Sequence, residues 1–540
     1  MRIDPIKLET KNKLIDEYRN NGEIMNKFDY LPFEASTFQQ RFTDLQEREF
    51  DREGLATVLQ KLNDNWGAPA ATLENIERLK DKDSVVVIGG QQSGLLTGPL
   101  YTINKIISII NLAKQQERQL KVPVVPVFWI AGEDHDFAEI NHIMLEKGSR
   151  MKKYKIPQRV SSKTSMSELD LDKDIAKAWL HRVFGELQET EFTNSYLELF
   201  EKCLNESNTT VDFFAKVIFS IFNKEGLVLI DSGNKLVRQL ESEHFVTMIK
   251  NQQSVSEGVY QANQEIKQSG YSISMDVEEN EAHLFYHKDG ERILLVRSED
   301  GSWIGKQNEC EFTTDELLHI AKNNPELLSN NVVTRPLMQE LLFPTLAFLG
   351  GLGEIGYWSI LKPAFQTLEI KMPPILPRLS LSLVDRSTDK KLKKFSIPPN
   401  QIVNFGVELE RGNWLATQTS SPIEMLTDQV KFSIERAHRP LKELAKEIRS
   451  DLGDVAEKNL FYLFQDIEFL EDKLMRALEE KYHQGLDDFD TLQTMLRPEG
   501  GLQERCWNII PFLNLYGDAF IDQLSEQSYD YKVDHYLIYL

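Results

Sequence analysis

Three short segments carry the residues whose types and spacing could do chemistry. The densest is Ala131–His142, AGEDHDFAEINH, where Glu133, Asp134, His135 and Asp136 stand together directly after an apolar run. Titratable groups crowded at one point push their pKa values apart, which suits acid, base or metal-ligand work. His135 is the candidate base, with Asp134 or Asp136 to orient it. A Mg2+ ion held through a carboxylate and nucleotide phosphates would fit this turn; the spacing matches no zinc signature, and no resident metal site is assigned. The second segment is Gly89–Pro99, GGQQSGLLTGP. Its glycines let a backbone approach a ligand closely, Gln91 and Gln92 can donate and accept, and Ser93 and Thr97 add hydroxyls. A tight turn would need only the glycines, so Gln91, Gln92, Ser93, Gly94 and Thr97 are read as a ligand loop. It is not a Walker loop, because no Gly-Lys-Ser/Thr follows.

The third segment is Arg335–Trp358. Arg335 could neutralise a carboxylate or phosphate, and Glu354 and Tyr357 are expected to face the site. Gly351, Gly353 and Gly356 form a GxGxxG, but a lone match is weak, and Pro344 interrupts the candidate strand ahead of it. The glycines are read as close packing or substrate approach; a dinucleotide-binding oxidoreductase is the less favoured alternative. Two further places add polar groups. Leu376–Arg386 sets Arg378 at a strand start and Asp385 and Arg386 at its end. Arg497–Asn508 sets Gly500 and Gly501 before a helical run, beside Arg497, Arg505 and Trp507. A helix N-terminus takes phosphate and an indole can stack on adenine, so this is a candidate nucleotide pocket for ATP or ADP. A helix cap with a core tryptophan explains the same residues equally well.

The elements that must position these groups follow from hydrophobic patterning. Ser84–Gly90, Val122–Gly132 and Gly226–Gly233 read as buried strands. Between the first two, Leu100, Ile103, Ile106, Ile107 and Ile110 fall on one helical face. Strand, helix and strand of this length make a βαβ unit with parallel strands and a right-handed crossover. Ligands bind beyond the carboxyl ends of such strands, where all three segments lie. Asp289-Gly290 between alternating apolar runs predicts a hairpin in an insertion, and Pro374–Asp385 closes the core as a last strand. The predicted class is α/β with a Rossmann-like parallel-sheet core. Residues 1–82 form a helical segment packing on that core, which spans 83–389 with insertions near 150–223 and 255–325. Residues 390–500 form a helical coiled coil, and 501–540 return to the core as helix. Leu441, Leu444, Ile448, Leu452 and Val455, then Leu460, Leu463, Ile467, Leu470, Leu474 and Leu478, recur at helical spacing. They predict two antiparallel helices with Gly453 near a turn or kink, and an apolar seam that meets either its own hairpin partner or another subunit, so a homodimer is expected.

Composition excludes other classes. At 540 residues and 41% hydrophobic the chain can bury a large core, and a formal charge of −22 repels nucleic acid and anionic membrane. The amino end has no apolar signal core, and no segment has the length needed to span a bilayer. Cys203, Cys310 and Cys506 lie far apart, with no disulfide framework. A cytoplasmic protein with free thiols is expected.

Taken together, VVVIGGQQSGLLTGPLYTINKIISIINLAK, VPVVPVFWIAGEDHDFAEINH, RPLMQELLFPTLAFLGGLGEIGYW, LPRLSLSLVD and PEGGLQER resemble the bacillithiol-synthesis cysteine-adding enzymes, in order and spacing across the whole chain. The resemblance implies a core related to class I aminoacyl-tRNA synthetases and pantothenate synthetase, interrupted by connecting segments, with a C-terminal coiled coil linked to dimerisation. It implies addition of cysteine to glucosaminyl malate with amide formation, and a nucleotide. The GQQSGLLTGP loop stands where that superfamily carries a His-x-Gly-His phosphate motif, and this chain has no such pair of histidines. A non-catalytic, nucleotide-binding dimeric scaffold is the competing reading.

Overall fold

Five runs of apolar residues are buried on both faces, the condition of a parallel sheet covered on two sides. They are β1 (Val85–Gln91), β2 (Val124–Ile130), β3 (Val228–Asp231), β4 (Thr345–Gly350) and β5 (Ile375–Pro377). In the computed structural model, which describes residues 1–9, 12–160, 163–420 and 422–540, they form one sheet in the order β5-β4-β1-β2-β3. Every pairing in it is parallel. The chain leaves β1 toward β2 and β3 on one side and later returns to β4 and β5 on the other. The switch point therefore lies between β1 and β4. Register levels the carboxyl ends: Gln91 pairs with Ile130, and Ile130 with Asp231. Pro344 precedes β4 instead of interrupting it, because the residues before it form the helix Thr334–Leu342.

The crossover helix α1 (Tyr101–Leu120) is buried almost all round, not on one face as its isoleucines suggest. One side meets the sheet. The other is covered by the end of the chain, where the Tyr531 hydroxyl donates to the Ser108 carbonyl and Asn104 donates to Glu504. Pro374–Asp385 is not one strand. It breaks at Arg378, whose side chain turns toward Glu504, and Leu381–Val384 joins a separate sheet. In that sheet His535–Tyr539 runs parallel to Leu381–Val384 and antiparallel to Arg2–Ile6. The segments expected to be helical at the two ends of the chain thus include its first and last strands.

Two long excursions interrupt the core. The one between β2 and β3 holds the hairpin His142–Glu146/Met151–Lys155 and three helices, Lys173–Phe184, Thr193–Asn205 and Thr210–Ile221. The one between β3 and β4 holds the helix Ser242–Gln268 and a five-stranded antiparallel sheet. That sheet contains the predicted hairpin, with Asp289 and Gly290 both at positive φ (52° and 79°).

Helices α2 (Ile423–Ile448) and α3 (Ser450–Lys481) form the antiparallel hairpin, joined at the extended residue Arg449. Lys431–Glu468 and Lys442–Glu457 ion pairs fix its register, and His438 meets Asn459 between them. Gly453 lies inside α3 against Lys446, beyond the turn. The seam differs from the expected one. Thr427, His438, Gly453 and Ala456 are buried, while Leu441, Leu444 and Ile448 are 61%, 52% and 69% exposed. They recur three and four residues apart on a stripe that the hairpin itself leaves uncovered.

Candidate active site at the strand ends

The loop after β1 is strained and clamped. Leu96, Thr97 and Gly98 have φ of 47°, 75° and 68°; for a β-branched threonine this costs on the order of 1–3 kcal/mol. Asn508 holds the shape: its Nδ2 donates to the Leu96 and Gly98 carbonyls at 2.8 and 2.6 Å. The Trp507 carbonyl accepts the Leu100 N–H at 2.7 Å. Gly94 closes the loop on itself, since a Cβ there would lie 2.8 Å from the Gly98 Cα. The buried hydroxyls of Ser93 and Thr97 have no hydrogen-bond partner among the described residues. A fixed loop that presents two unsatisfied hydroxyls is equipped to hold a polar ligand. Gly90 serves packing instead: a Cβ there would lie 2.7 Å from the Trp129 carbonyl oxygen of β2.

Beside this loop the acidic turn after β2 is organised by its own backbone. Asp134 accepts from the His135 N–H at 2.7 Å and from Gln92 Nε2 at 2.6 Å, and Gln92 also reaches Glu139. Asp136 caps the short helix Phe137–Ile140 through the Ala138 N–H. Neither carboxylate orients the His135 ring. Asp134 is 4.0 Å from Nδ1, which has no partner. The expected His–Asp pair is absent because both carboxylates already satisfy main-chain and glutamine donors. Burial, then the Arg292 guanidinium, lowers the His135 pKa from its ordinary value, so the ring is neutral at pH 7 and able to take a proton. Glu133 points inward and pairs with Arg238 at 2.5 Å.

A row of cations crosses the ends of β1, β4 and β5. Lys105 of α1 is fully buried, donating to the Gly90 carbonyl at 2.7 Å and pairing with Glu354. Burial opposes the charge on Glu354, yet Lys105 and Arg335 together hold its carboxyl below the ordinary range. Its Oε2 also accepts the Gly351 N–H at 2.8 Å, so this acid fixes the start of the helix Leu352–Trp358. Arg335 donates to the Tyr357 hydroxyl at 2.6 Å and has no carboxylate within ion-pair distance among the described residues. Burial pushes the Tyr357 phenol up to about 12, so it stays protonated. Arg378 is spent: both its terminal nitrogens meet the buried Glu504 carboxylate at 2.7 Å. It is a structural cation, and the expectation that it binds substrate fails on that bidentate pair.

The late glycine segment divides. Trp507 is buried, with its indole N–H donating to the Thr494 carbonyl at 2.9 Å, which makes it a core tryptophan and not a platform for a base. Arg497 is directed at the Val403 carbonyl, and Gly500 turns at φ 75°. Arg505 is exposed and acts on Tyr101, at the end of the cation row. Asp385 caps the helix Arg386–Phe395 through the Thr388 N–H and, with Arg386, lies beside Tyr516. The Gly501 N–H donates to the Pro498 carbonyl at 2.9 Å.

Sequence reasoning missed Lys105, Arg292, Glu504 and Asn508. Lys105 alone left a local signal, a cation inside the apolar run NKIISII that follows the loop. Chemically, the site offers a neutral imidazole, two free hydroxyls and an unpaired guanidinium at a switch point. Burial raises all three thiols, Cys203 up to about 11, Cys506 up to about 12 and Cys310 in the same direction. Among the described residues no three His, Cys, Asp or Glu side chains are grouped to hold a metal ion, and no helix is long and apolar enough to cross a membrane.

Comparison with known proteins agrees with this architecture along the whole chain. The N-terminal Rossmann-like domain of bacillithiol biosynthesis BshC matches residues 1–379, and its C-terminal coiled-coil domain matches residues 381–540. Among similar curated proteins, each named "Putative cysteine ligase BshC", that of Oceanobacillus iheyensis is 41% identical over 546 residues. Those of Bacillus cereus (strain ATCC 10987 / NRS 248) and Geobacillus sp. (strain WCH70) are each 40% identical. All three matches cover 100% of both chains. With a Rossmann-like parallel sheet, a clamped glycine-rich loop at its switch point and a C-terminal helical hairpin, the chain belongs to the BshC family of bacillithiol biosynthesis, whose curated relatives are named as putative cysteine ligases.

Proposed function

We propose that this chain joins cysteine to glucosaminyl malate, forming an amide in a reaction driven by ATP. The observation that carries the reading is the strained loop at the switch point, whose Ser93 and Thr97 hydroxyls are buried without partners. The loop starts at Gly90, whose carbonyl accepts from Lys105 of the cation row, in which Arg335 has no carboxylate within ion-pair distance among the described residues. Hydroxyls and a guanidinium suit a phosphate or carboxylate oxygen. Amide formation needs the acid activated, because otherwise an oxide-like oxygen must leave. The amine then attacks the activated carboxyl carbon, the carbon–nitrogen bond forms as the bond to the activating phosphate or AMP breaks and that group leaves with the carboxyl oxygen, and the amine proton passes to His135. A neutral imidazole with an open Nδ1 can accept it. Bound ATP would supply the activating phosphoryl or adenylyl group, with Ser93, Thr97 and Arg335 holding its charge; Arg386 and Arg505 are the alternative cations.

The test is product formation. Purified protein with cysteine, glucosaminyl malate, ATP and Mg2+ should yield bacillithiol by mass. Cysteine-dependent exchange of labelled pyrophosphate into ATP supports adenylation, whereas ADP release without exchange supports an acyl phosphate. No product with any nucleotide overturns the ligase reading in favour of a scaffold. The uncovered stripe of Leu441, Leu444 and Ile448 supports the second part of the proposal, a homodimer formed through the hairpins.

A further inference from the structure

The inserted five-stranded sheet places one unpaired cation over the acidic turn. Arg292 stands opposite His287 in the hairpin Glu281–Lys288/Glu291–Arg297. Both side chains meet Ser329 Oγ on the neighbouring strand Leu328–Asn330, at 3.1 and 2.9 Å. Arg292 also donates through Nη2 to the Asn330 carbonyl and lies 3.8 Å over the Phe285 ring. The Asn330 N–H in turn donates to Glu133, the first residue of the acidic turn, at 3.3 Å. A continuous path of bonds therefore fixes the guanidinium relative to the end of β2.

With Arg335, Arg292 differs from the inward-facing arginines that have a carboxylate partner. Arg41 pairs with Glu340, Arg238 with Glu133 and Glu241, and Arg378 with Glu504. Arg292 is only 9% exposed and makes no ion pair among the described residues. Its side chain has both Nε and Nη2 engaged, and Nη1 makes no hydrogen bond to protein. The carboxamide of Asn330 in the same wall is buried with neither atom partnered. A desolvated cation is costly unless an anion meets it, and here the protein supplies none within ion-pair distance. Burial lowers the Arg292 pKa, with Glu133 and Asp134 opposing from farther off.

We propose that Arg292 is a carboxylate anchor of the active site, contributed by the inserted sheet and selective for the dicarboxylate end of the amine substrate. The assignment rests on the ligase reading above for the identity of that amine. It gives the insertion a role in specificity: the core positions His135, and the insertion holds the substrate's malyl group beside it. A malyl carboxylate would replace the missing counter-ion and use Nη1, with Asn330 as a neighbouring donor.

Two measurements on the full-length chain separate this proposal from the reading beneath it. The first is calorimetric binding of L-malate to wild type, Arg292→Gln and Arg292→Lys, with unfolding curves to check the fold. Loss of a charge-assisted pair should weaken binding about tenfold to a hundredfold in Arg292→Gln, and less in Arg292→Lys. The second is turnover of glucosaminyl malate against a carboxylate-free amine, methyl glucosaminide. In Arg292→Gln the KM for the first should rise about tenfold with kcat little changed, and kcat/KM for the second should hold. Unchanged malate binding, or an equal loss for both amines, overturns the anchor. Malate binding that depends on Arg292 in a protein without ligase turnover would overturn the ligase reading and leave the anchor standing.

Discussion

Asp231 ends β3 fully buried, accepting from Ser167 Oγ at 2.7 Å and from the Gly233 N–H at 2.9 Å through one oxygen. Burial pushes its carboxyl up to about 6, against the ordinary value of 3.8. A carboxyl whose folded pKa is raised stabilises the fold in its protonated form; that contribution is complete below the unfolded value and is lost as pH rises through about 6. Asp231→Asn keeps the accepting oxygen and removes the titration. The variant should match wild type near pH 4 and be more stable by up to about 3 kcal/mol at pH 7.5, read from chemical unfolding at a series of pH values. An unchanged difference across that range would place the raised pKa elsewhere. The same scale of argument separates His135 from its neighbours: residue type marked it, but only coordinates reveal that its flanking carboxylates are engaged.

At the scale of elements, the loop after β1 depends on a residue more than 400 positions away. Asn508→Ala removes two hydrogen bonds to buried carbonyls and leaves Thr97 to hold its positive φ unaided. Stability should fall by about 2–4 kcal/mol, and kcat/KM should fall by more than the loss of folded protein accounts for, measured on the folded fraction. Full activity would show that the loop needs no clamp. This dependence explains what the sequence made legible and what it hid. Buried strands, the ligand loop and the acidic turn announce themselves through local pattern, because a parallel strand must be apolar throughout and its end must be polar. Asn508, Glu504 and Arg292 act through partners brought close only by the finished fold, and no periodicity encodes such a pairing. The hairpin seam misled for a related reason. On α2 the partner helix covers Thr427 and His438, while the more apolar Leu441, Leu444 and Ile448 stay exposed, so hydrophobic pattern alone picks the wrong face.

For the whole molecule, the uncovered stripe bears on the proposed homodimer. If two hairpins meet through it, the wild-type chain should sediment as a dimer at micromolar concentration. Leu441→Ser with Leu444→Ser should sediment as a monomer, with monomer stability changed by no more than about 0.5 kcal/mol each, because both side chains are exposed in the single chain. A wild-type monomer, or an undisturbed dimer in the variant, would refute the arrangement. The chain's two ends carry a different consequence. Arg2–Ile6 finds its partner only in His535–Tyr539, and the same closing stretch brings Glu504, Asn508 and Tyr531 onto α1 and its loop. During translation at about 5–20 residues per second, the nascent core keeps one side of α1 open to solvent until the stretch carrying Glu504, Asn508 and Tyr531 has been made. A chain cut short before that stretch should therefore expose an apolar helix, the kind of surface by which unfinished proteins are recognised.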